Sequence, residues 1–398
     1  MWSEARLEPW PVATSARATA VPRERNLDIE VLRAVAIVGV ILHHFTGFGS
    51  LLAREHASLQ WIDRQVQYWT GVDLFFAISG YVIARSLVPA LSAHKDWSGF
   101  WREAGAFWIR RAFRLLPSSW LWLAVLLLAS FTFNSLWIFD HPVFGGPWNN
   151  LHATVAAVGF YYNFFEASAF EHHKFAASFA WWSLSLEEQF YLLLPVVAFW
   201  LRKRLWIALF TIIALAIYIE HATPLTMVLR PEAICLGVLI ALWEMSPSWA
   251  IADRLCQKLP PQLRTALILC LLFLLGFIGT LGPYTHRIPY IAIVSALLVI
   301  IAAQNRGYLI PPGVAKTVAL WIGSRSYGLY LIHAAAFLGA KELCYRLTGD
   351  VFDSFVVPVG MIALLVFVEL NWRYVETPMR RYGARLAQRF RDGKKVRS

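Results

Sequence analysis

Arg33 and His44 are the two side chains that an apolar segment holds at greatest cost, and they lie in the run that begins Asp28-Ile29-Glu30-Val31-Leu32-Arg33. If that run is helical, their spacing is about three turns, which puts both on one face roughly 16 Å apart along the axis. His43 would point about 80° away from Arg33, so the spacing favours His44 over its neighbour. An arginine near one membrane surface suits an anionic or carbonyl-bearing ligand. A histidine near mid-bilayer suits proton transfer close to neutral pH. Taken singly, Arg33 is explained as well by an interface arginine whose stem snorkels to the headgroups. A second histidine beside His44 at such depth tips the balance toward chemistry.

Further polar groups recur in apolar surroundings. Asp73 stands in Gly71-Val72-Asp73-Leu74-Phe75-Phe76, followed by Ser79-Gly80, a pair suited to close helix packing. Arg110, Arg111 and Arg114 follow Phe107-Trp108-Ile109 and precede Pro117. Arg110 and Arg114 share an amphipathic face, as for a helix anchored to lipid phosphates or one that grips a polyphosphate ligand. Trp182-Ser183-Leu184-Ser185-Leu186-Glu187-Glu188-Gln189-Phe190-Tyr191 puts two carboxylates at the head of an apolar span. Adjacent helical positions diverge by about 100°, so one of the two is expected to face a given cavity. Arg230-Pro231-Glu232 interrupts another span, and His333 falls late in the run from Ser326. An Arg/Glu pair of this kind serves structure as readily as function.

All of these sit in a chain built for a membrane. Of 398 residues, 58% are hydrophobic and 15% charged, against about 25% charged in soluble domains. Apolar runs near 29–49, 69–88, 117–137, 184–201, 204–221, 225–244, 264–282, 288–304, 319–337 and 355–375 are each long enough to cross about 30 Å of hydrocarbon. The expected fold is an all-α polytopic bundle of about ten spans. The segment 151–166 is apolar but short, and is expected to be re-entrant or interfacial. The net charge of +11 would suggest nucleic acid in a soluble protein. Here the basic residues cluster at span ends, which the positive-inside rule explains without a nucleic-acid partner. Arg110–Arg114, Arg202–Arg204 and the basic residues 381–398 then fall on the cytoplasmic side, with both termini, in a bacterial inner membrane. Residues 1–26 read as a flexible cytoplasmic extension, 27–380 as one membrane domain and 381–398 as a basic tail facing membrane lipid. The cysteines Cys235, Cys256, Cys270 and Cys344 stand singly, so neither disulfides nor a metal site is expected.

In this order the blocks resemble the membrane acyltransferase-3 family, integral-membrane O-acyltransferases of cell-surface sugars, over about residues 26–382. Arg33 and His44 match its Arg-x10-His pair, Gly71–Gly80 its GVDxFFxxSG block, Arg110–Pro117 its RRxxRxxP block and Ser183–Tyr191 its SLSxEEQFY block. Arg230–Gly237, Ser326–His333 and Val375–Pro378 resemble RxDxxxxG, SYxLYLxH and VExP. Glu30-Val31 replaces the family's Asp-Gly, Glu232 replaces Asp, and Ala180 stands where histidine is frequent, with His172 and His173 just upstream.

The resemblance implies transfer of an acyl group, expected to be acetyl, from cytoplasmic acyl-CoA to a sugar hydroxyl at the outer face. Acetyl-CoA is thus the expected donor, without a metal. Arg33, Arg110, Arg111 and Arg114 would bind the donor, and His44 would be the general base. Asp73, Glu187 and Glu188 would orient His44 or bind acceptor hydroxyls. Glu30, Ser185, Arg230, Glu232 and His333 would contact substrate. The expected acceptors are lipopolysaccharide O-antigen, exopolysaccharide, a lipo-oligosaccharide signal or a small glycosylated metabolite, and self-association into a homo-oligomer is compatible with such a bundle. The alternative is a proton-coupled secondary transporter that uses the same intramembrane His, Asp and Glu residues.

Overall fold

The computed structural model describes residues 25–46, 64–138, 141–172, 176–219, 221–281, 287–350 and 355–393. Most of the expected N-terminal extension, His173 and the last five residues of the basic tail lie outside these. The chain runs α1 (Leu27–Thr46), a 3-10 turn at Tyr68–Thr70, α2 (Gly71–Ser92), α3 (Trp97–Thr132), β1 (Trp137–Ile138), β2 (His141–Pro142), α4 (Pro147–Val158), α5 (Tyr162–His172), α6 (Trp181–Leu201), α7 (Leu205–Tyr218), α8 (Pro224–Val228) and α9 (Glu232–Glu244). There follow α10 (Trp249–Lys258), α11 (Pro261–Ile278), α12 (Arg287–Ala303), α13 (Val314–Ser324), α14 (Ser326–Thr348), α15 (Val356–Asn371), a π-helical turn at Trp372–Glu376 and α16 (Thr377–Arg391). The fold is all-α. Among the described residues, the named strands are two residues each and pair antiparallel.

Among the described residues, each expected span falls mainly on helix, the span 225–244 being broken at 229–231. By length and composition, five stretches among the described residues qualify to cross a membrane: Tyr68–Ser92, Trp97–Thr132, Pro224–Glu244, Pro261–Ile278 and Val356–Arg391. Their outer faces carry exposed Leu128, Phe131, Leu269 and Ile362, an apolar surface that hydrocarbon solvates and water does not. The short segment 151–166 is two helices, α4 and α5, joined at Phe160 with φ 61°. At 12 and 11 residues, neither is long enough for a crossing, which needs about 20.

Two expected spans are longer than their apolar cores. The third begins twenty residues early, because α3 is a 36-residue helix starting at Trp97. Asp96 caps it, its Oδ2 accepting from the Gly99 amide at 3.1 Å. The interior Pro117 does not end the helix. The last span also runs on, through the π turn into α16, so Arg380, Arg381, Arg385, Arg389 and Arg391 lie on a helix. Helix α16 packs along α3: Phe113 meets the Tyr382 ring at 5.2 Å, and Arg391 pairs with Glu103 at 3.3 Å.

Two clamps set the positions of the helices that matter most. Asn26 accepts from the Ile29 amide and donates to the Ala302 carbonyl, both at 3.0 Å, while Asp28 accepts from the Gly307 amide at 2.8 Å. These bonds fix the start of α1 against the end of α12. Helices α2 and α9 approach backbone to backbone: a Cβ on Gly80 would lie 2.1 Å from the Ile234 carbonyl oxygen, and one on Gly237 would lie 2.1 Å from that of Ala77. Gly80→Val is therefore expected to lower the stability of the detergent-solubilised chain by about 2 kcal/mol or more, read as a fall in its thermal midpoint. An unchanged midpoint would contradict this packing.

Candidate active site

Helices α1, α2, α3, α6 and α14, each packed against at least two of the others, enclose a cavity. Its polar lining is Arg33, Ser79, Arg111, Arg114, Ser183, Glu187, Tyr191, Ser326, Tyr327 and Tyr330, with Val72, Phe75, Phe76, Ile78, Val82, Leu115 and Leu184 between them. Three guanidinium groups against one carboxylate make the cavity attractive to an anion. Arg33 donates from Nε to Ser326 Oγ at 3.1 Å. Arg111 lies over the Tyr191 ring, 5.2 Å from its centroid. Glu187 accepts from Ser79 Oγ at 3.1 Å and from the Tyr191 hydroxyl. Ser79, expected as a small packing residue, thus ties α2 to α6, while its neighbour Gly80 makes the close helix contact.

The far wall is built on Tyr330. Its hydroxyl shares a 2.7 Å hydrogen bond with Ser183 Oγ. Its backbone carbonyl accepts from His333 Nδ1 at 2.7 Å, and His333 Nε2 lies 3.2 Å from His44 Nδ1. Phe179 closes the histidine pair on one side, its ring 5.0 Å from that of His44 and 6.1 Å from that of His333. The two ends of α1 therefore engage the same partner helix, Arg33 through Ser326 and His44 through His333. The shared face read from their spacing is the face toward α14. His44 does not line the cavity itself; it stands behind Tyr330.

The remaining expected site residues divide into groups. Arg111 and Arg114, not Arg110 and Arg114, reach the cavity. Arg110, next to Arg111 in the chain, is turned away from the cavity, among the charges of Glu103 and Arg391. Glu188 is absent from the lining, as expected if one carboxylate of the pair faces inward. Ser185 Oγ accepts from the Tyr162 amide at 3.2 Å and joins α5 to α6. Glu30 pairs with Arg25 at 2.8 Å.

Asp73, Arg230, Glu232 and His221 form a separate buried network. Arg230 Nε is 3.2 Å from Asp73 Oδ1, and His221 Nε2 is 3.1 Å from Glu232 Oε1. These are ion-pair distances without hydrogen-bond alignment. The Arg230 guanidinium lies between the rings of Trp69 and Trp182, at 5.1 and 4.9 Å. The network braces α2 against α9 beside their glycine contact and does not line the cavity.

Several lining residues carried no assigned role in the sequence. Tyr191, Ser326, Tyr327 and Tyr330 lie inside blocks that were legible, but only the fold shows which of their positions turn inward. Glu376, at the π turn, is buried close to Arg114, Arg380 and Arg33. It extends the charged lattice behind the cavity, and the run Val375–Pro378 was its only signal.

Comparisons with known proteins place the chain in a family. The family described as an acyltransferase domain matches residues 26–369. A peptidoglycan O-acetyltransferase, OatA, of Listeria monocytogenes serovar 1/2a is 25% identical over 394 residues, covering 92% of this chain and 58% of the relative. A putative O-acetyltransferase of Staphylococcus aureus strain COL is 27% identical over 378 residues, covering 89% and 57%. The O-acetyltransferase OatA of Staphylococcus aureus strain NCTC 8325 is 26% identical over 389 residues, with the same coverage. The chain thus spans a little under three-fifths of the length of these relatives. No solved structure matches it. By the extent of the family match, the chain belongs to the acyltransferase-3 family.

Proposed function

We propose that the chain is an integral-membrane O-acyltransferase that moves an acyl group, acetyl in the simplest case, from acyl-CoA to a sugar hydroxyl of a cell-envelope glycan. The observation that carries this reading is the joining of a cationic cavity to a histidine pair through one residue, Tyr330. An acyl-CoA presents phosphates at one end and a thioester at the other. Arg111 and Arg114 suit the phosphates, and Arg33, held by Ser326, suits a phosphate or a pantetheine carbonyl deeper in. The arginine end faces the cytoplasm in this reading, where acyl-CoA is made.

At the histidine end, the acceptor hydroxyl attacks the thioester carbonyl carbon while His44 takes its proton. The C–S bond then breaks, the ester C–O bond remains, and the proton passes from His44 to the departing thiolate. Glu187 is held by Ser79 and Tyr191 on the cavity wall, where its charge offsets that of the neighbouring Arg111 and Arg33. Asp73, Arg230 and Glu232 support the scaffold rather than the substrate. The acceptor belongs to the classes expected from the sequence, with peptidoglycan added because the Listeria relative is named for it. Family membership favours acyl transfer over the proton-coupled transporter.

Acyl transfer by the purified chain in lipid nanodiscs, with labelled acetyl-CoA and glycan fragments, tests this directly. His44→Ala is expected to lower kcat by about 100-fold or more with the protein still folded. Full transfer by that variant would refute the general-base role. In the same assay, Arg111→Gln and Arg114→Gln are each expected to raise KM for acetyl-CoA by about 10-fold, the loss of one charge-assisted hydrogen bond. Arg110→Gln is expected to leave that KM within about 2-fold, since its half-buried charge lies outside the cavity, beside Glu103 and Arg391. An equal effect at all three positions would contradict the proposed donor path.

A further inference from the structure

We propose that His333 is a positioning residue that fixes the tautomer of His44, so that His44 presents its Nε2 lone pair to the acceptor hydroxyl. The inference rests on the acyl-transfer reading of His44 and changes the expected role of His333, from substrate contact to support of the base.

The argument begins at Tyr330. A backbone carbonyl can only accept, so the 2.7 Å contact requires the proton on His333 Nδ1. A neutral His333 then carries its lone pair on Nε2. That atom lies 3.2 Å from His44 Nδ1, and the hydrogen bond between them needs one proton. His44 Nδ1 must supply it. With Nδ1 protonated, neutral His44 has its lone pair on Nε2.

The two imidazoles form an offset stack, 23° from parallel with centroids 5.0 Å apart, which leaves the facing nitrogens within hydrogen-bond reach. His333 is 1% exposed, so water does not compete for its Nε2.

The consequence is chemical. Imidazole in water prefers its proton on Nε2, and in that form the nitrogen would offer the substrate a donor instead of a base. The carbonyl–His333–His44 chain selects the opposite form before substrate arrives. When His44 Nε2 accepts the hydroxyl proton, the imidazolium still donates from Nδ1 to the His333 lone pair. That bond stabilises the cation where solvent cannot. The arrangement performs with a second imidazole the orienting role that a carboxylate performs in other catalytic histidine pairs.

Two substitutions in the full-length chain, reconstituted in nanodiscs, separate this role from simple packing. His333→Phe keeps a ring but removes the acceptor, and His333→Gln places an amide oxygen near the former Nε2. His333→Phe is expected to lower kcat by about 10-fold or more with KM for acetyl-CoA within about 2-fold, and His333→Gln to recover most of kcat. Selective 15N-histidine NMR of the unsubstituted chain is expected to show a protonated Nδ1 and an unprotonated Nε2 on His44. A protonated His44 Nε2 at neutral pH would overturn the proposal, as would a His333→Phe chain with unchanged kcat. Should His44→Ala retain full transfer, the acyl-transfer role of His44 would fail, while the NMR would still report whether His333 sets its tautomer.

Discussion

An ionisable side chain inside a membrane protein must find a partner, because hydrocarbon offers none and desolvation costs several kcal/mol. This constraint arranges the whole centre of the molecule. Arg33 is held by Ser326, Glu187 by Ser79 and Tyr191, His44 by His333, and Asp73 by Arg230. Apart from the Glu187–Tyr191 bond within α6, each of these contacts joins segments that are distant in sequence. The polar groups that could do chemistry are therefore also the groups that fix how the helices meet.

Tyr330 shows how closely the two roles are linked. Its hydroxyl reaches Ser183 on α6 and its carbonyl reaches His333 one turn ahead on the same helix. The cavity with the arginines ends at its side chain, and the histidine pair begins at its backbone. A long ligand with an anionic head and a reactive tail fits such a plan. The plan itself depends on α14 presenting Ser326, Tyr330 and His333 along the length of α1, whose start is clamped by Asn26 and Asp28 to the end of α12.

The helical character of the chain was legible because span length and apolar composition follow directly from hydrocarbon thickness. The Arg33–His44 face was legible because helical rotation is fixed by sequence spacing. Less legible were the features that depend on a second helix. The spacing of Arg110 and Arg114 suggested one gripping face, yet α16 packs along that part of α3 and Arg110 lies among Glu103 and Arg391. Asp73 and Arg230 looked like site residues because each is costly alone, and only the fold reveals that each is the other's partner. The length of α3 was hidden by Pro117, whose usual effect is to end or kink a helix. The interruption at Arg230–Glu232 was readable because proline and two charges coincide there.

The central claim is that acyl donor and histidine base meet at the wall formed by Tyr330. A structure of the chain in nanodiscs with an unreactive thioether analogue of acetyl-CoA tests it most directly. The account predicts phosphates against Arg111 and Arg114, and the acyl carbonyl beside Tyr330 on the side of His44 Nε2. An analogue whose acyl end lies away from the histidine pair, or whose phosphates bind elsewhere with Arg111 and Arg114 untouched, would contradict it.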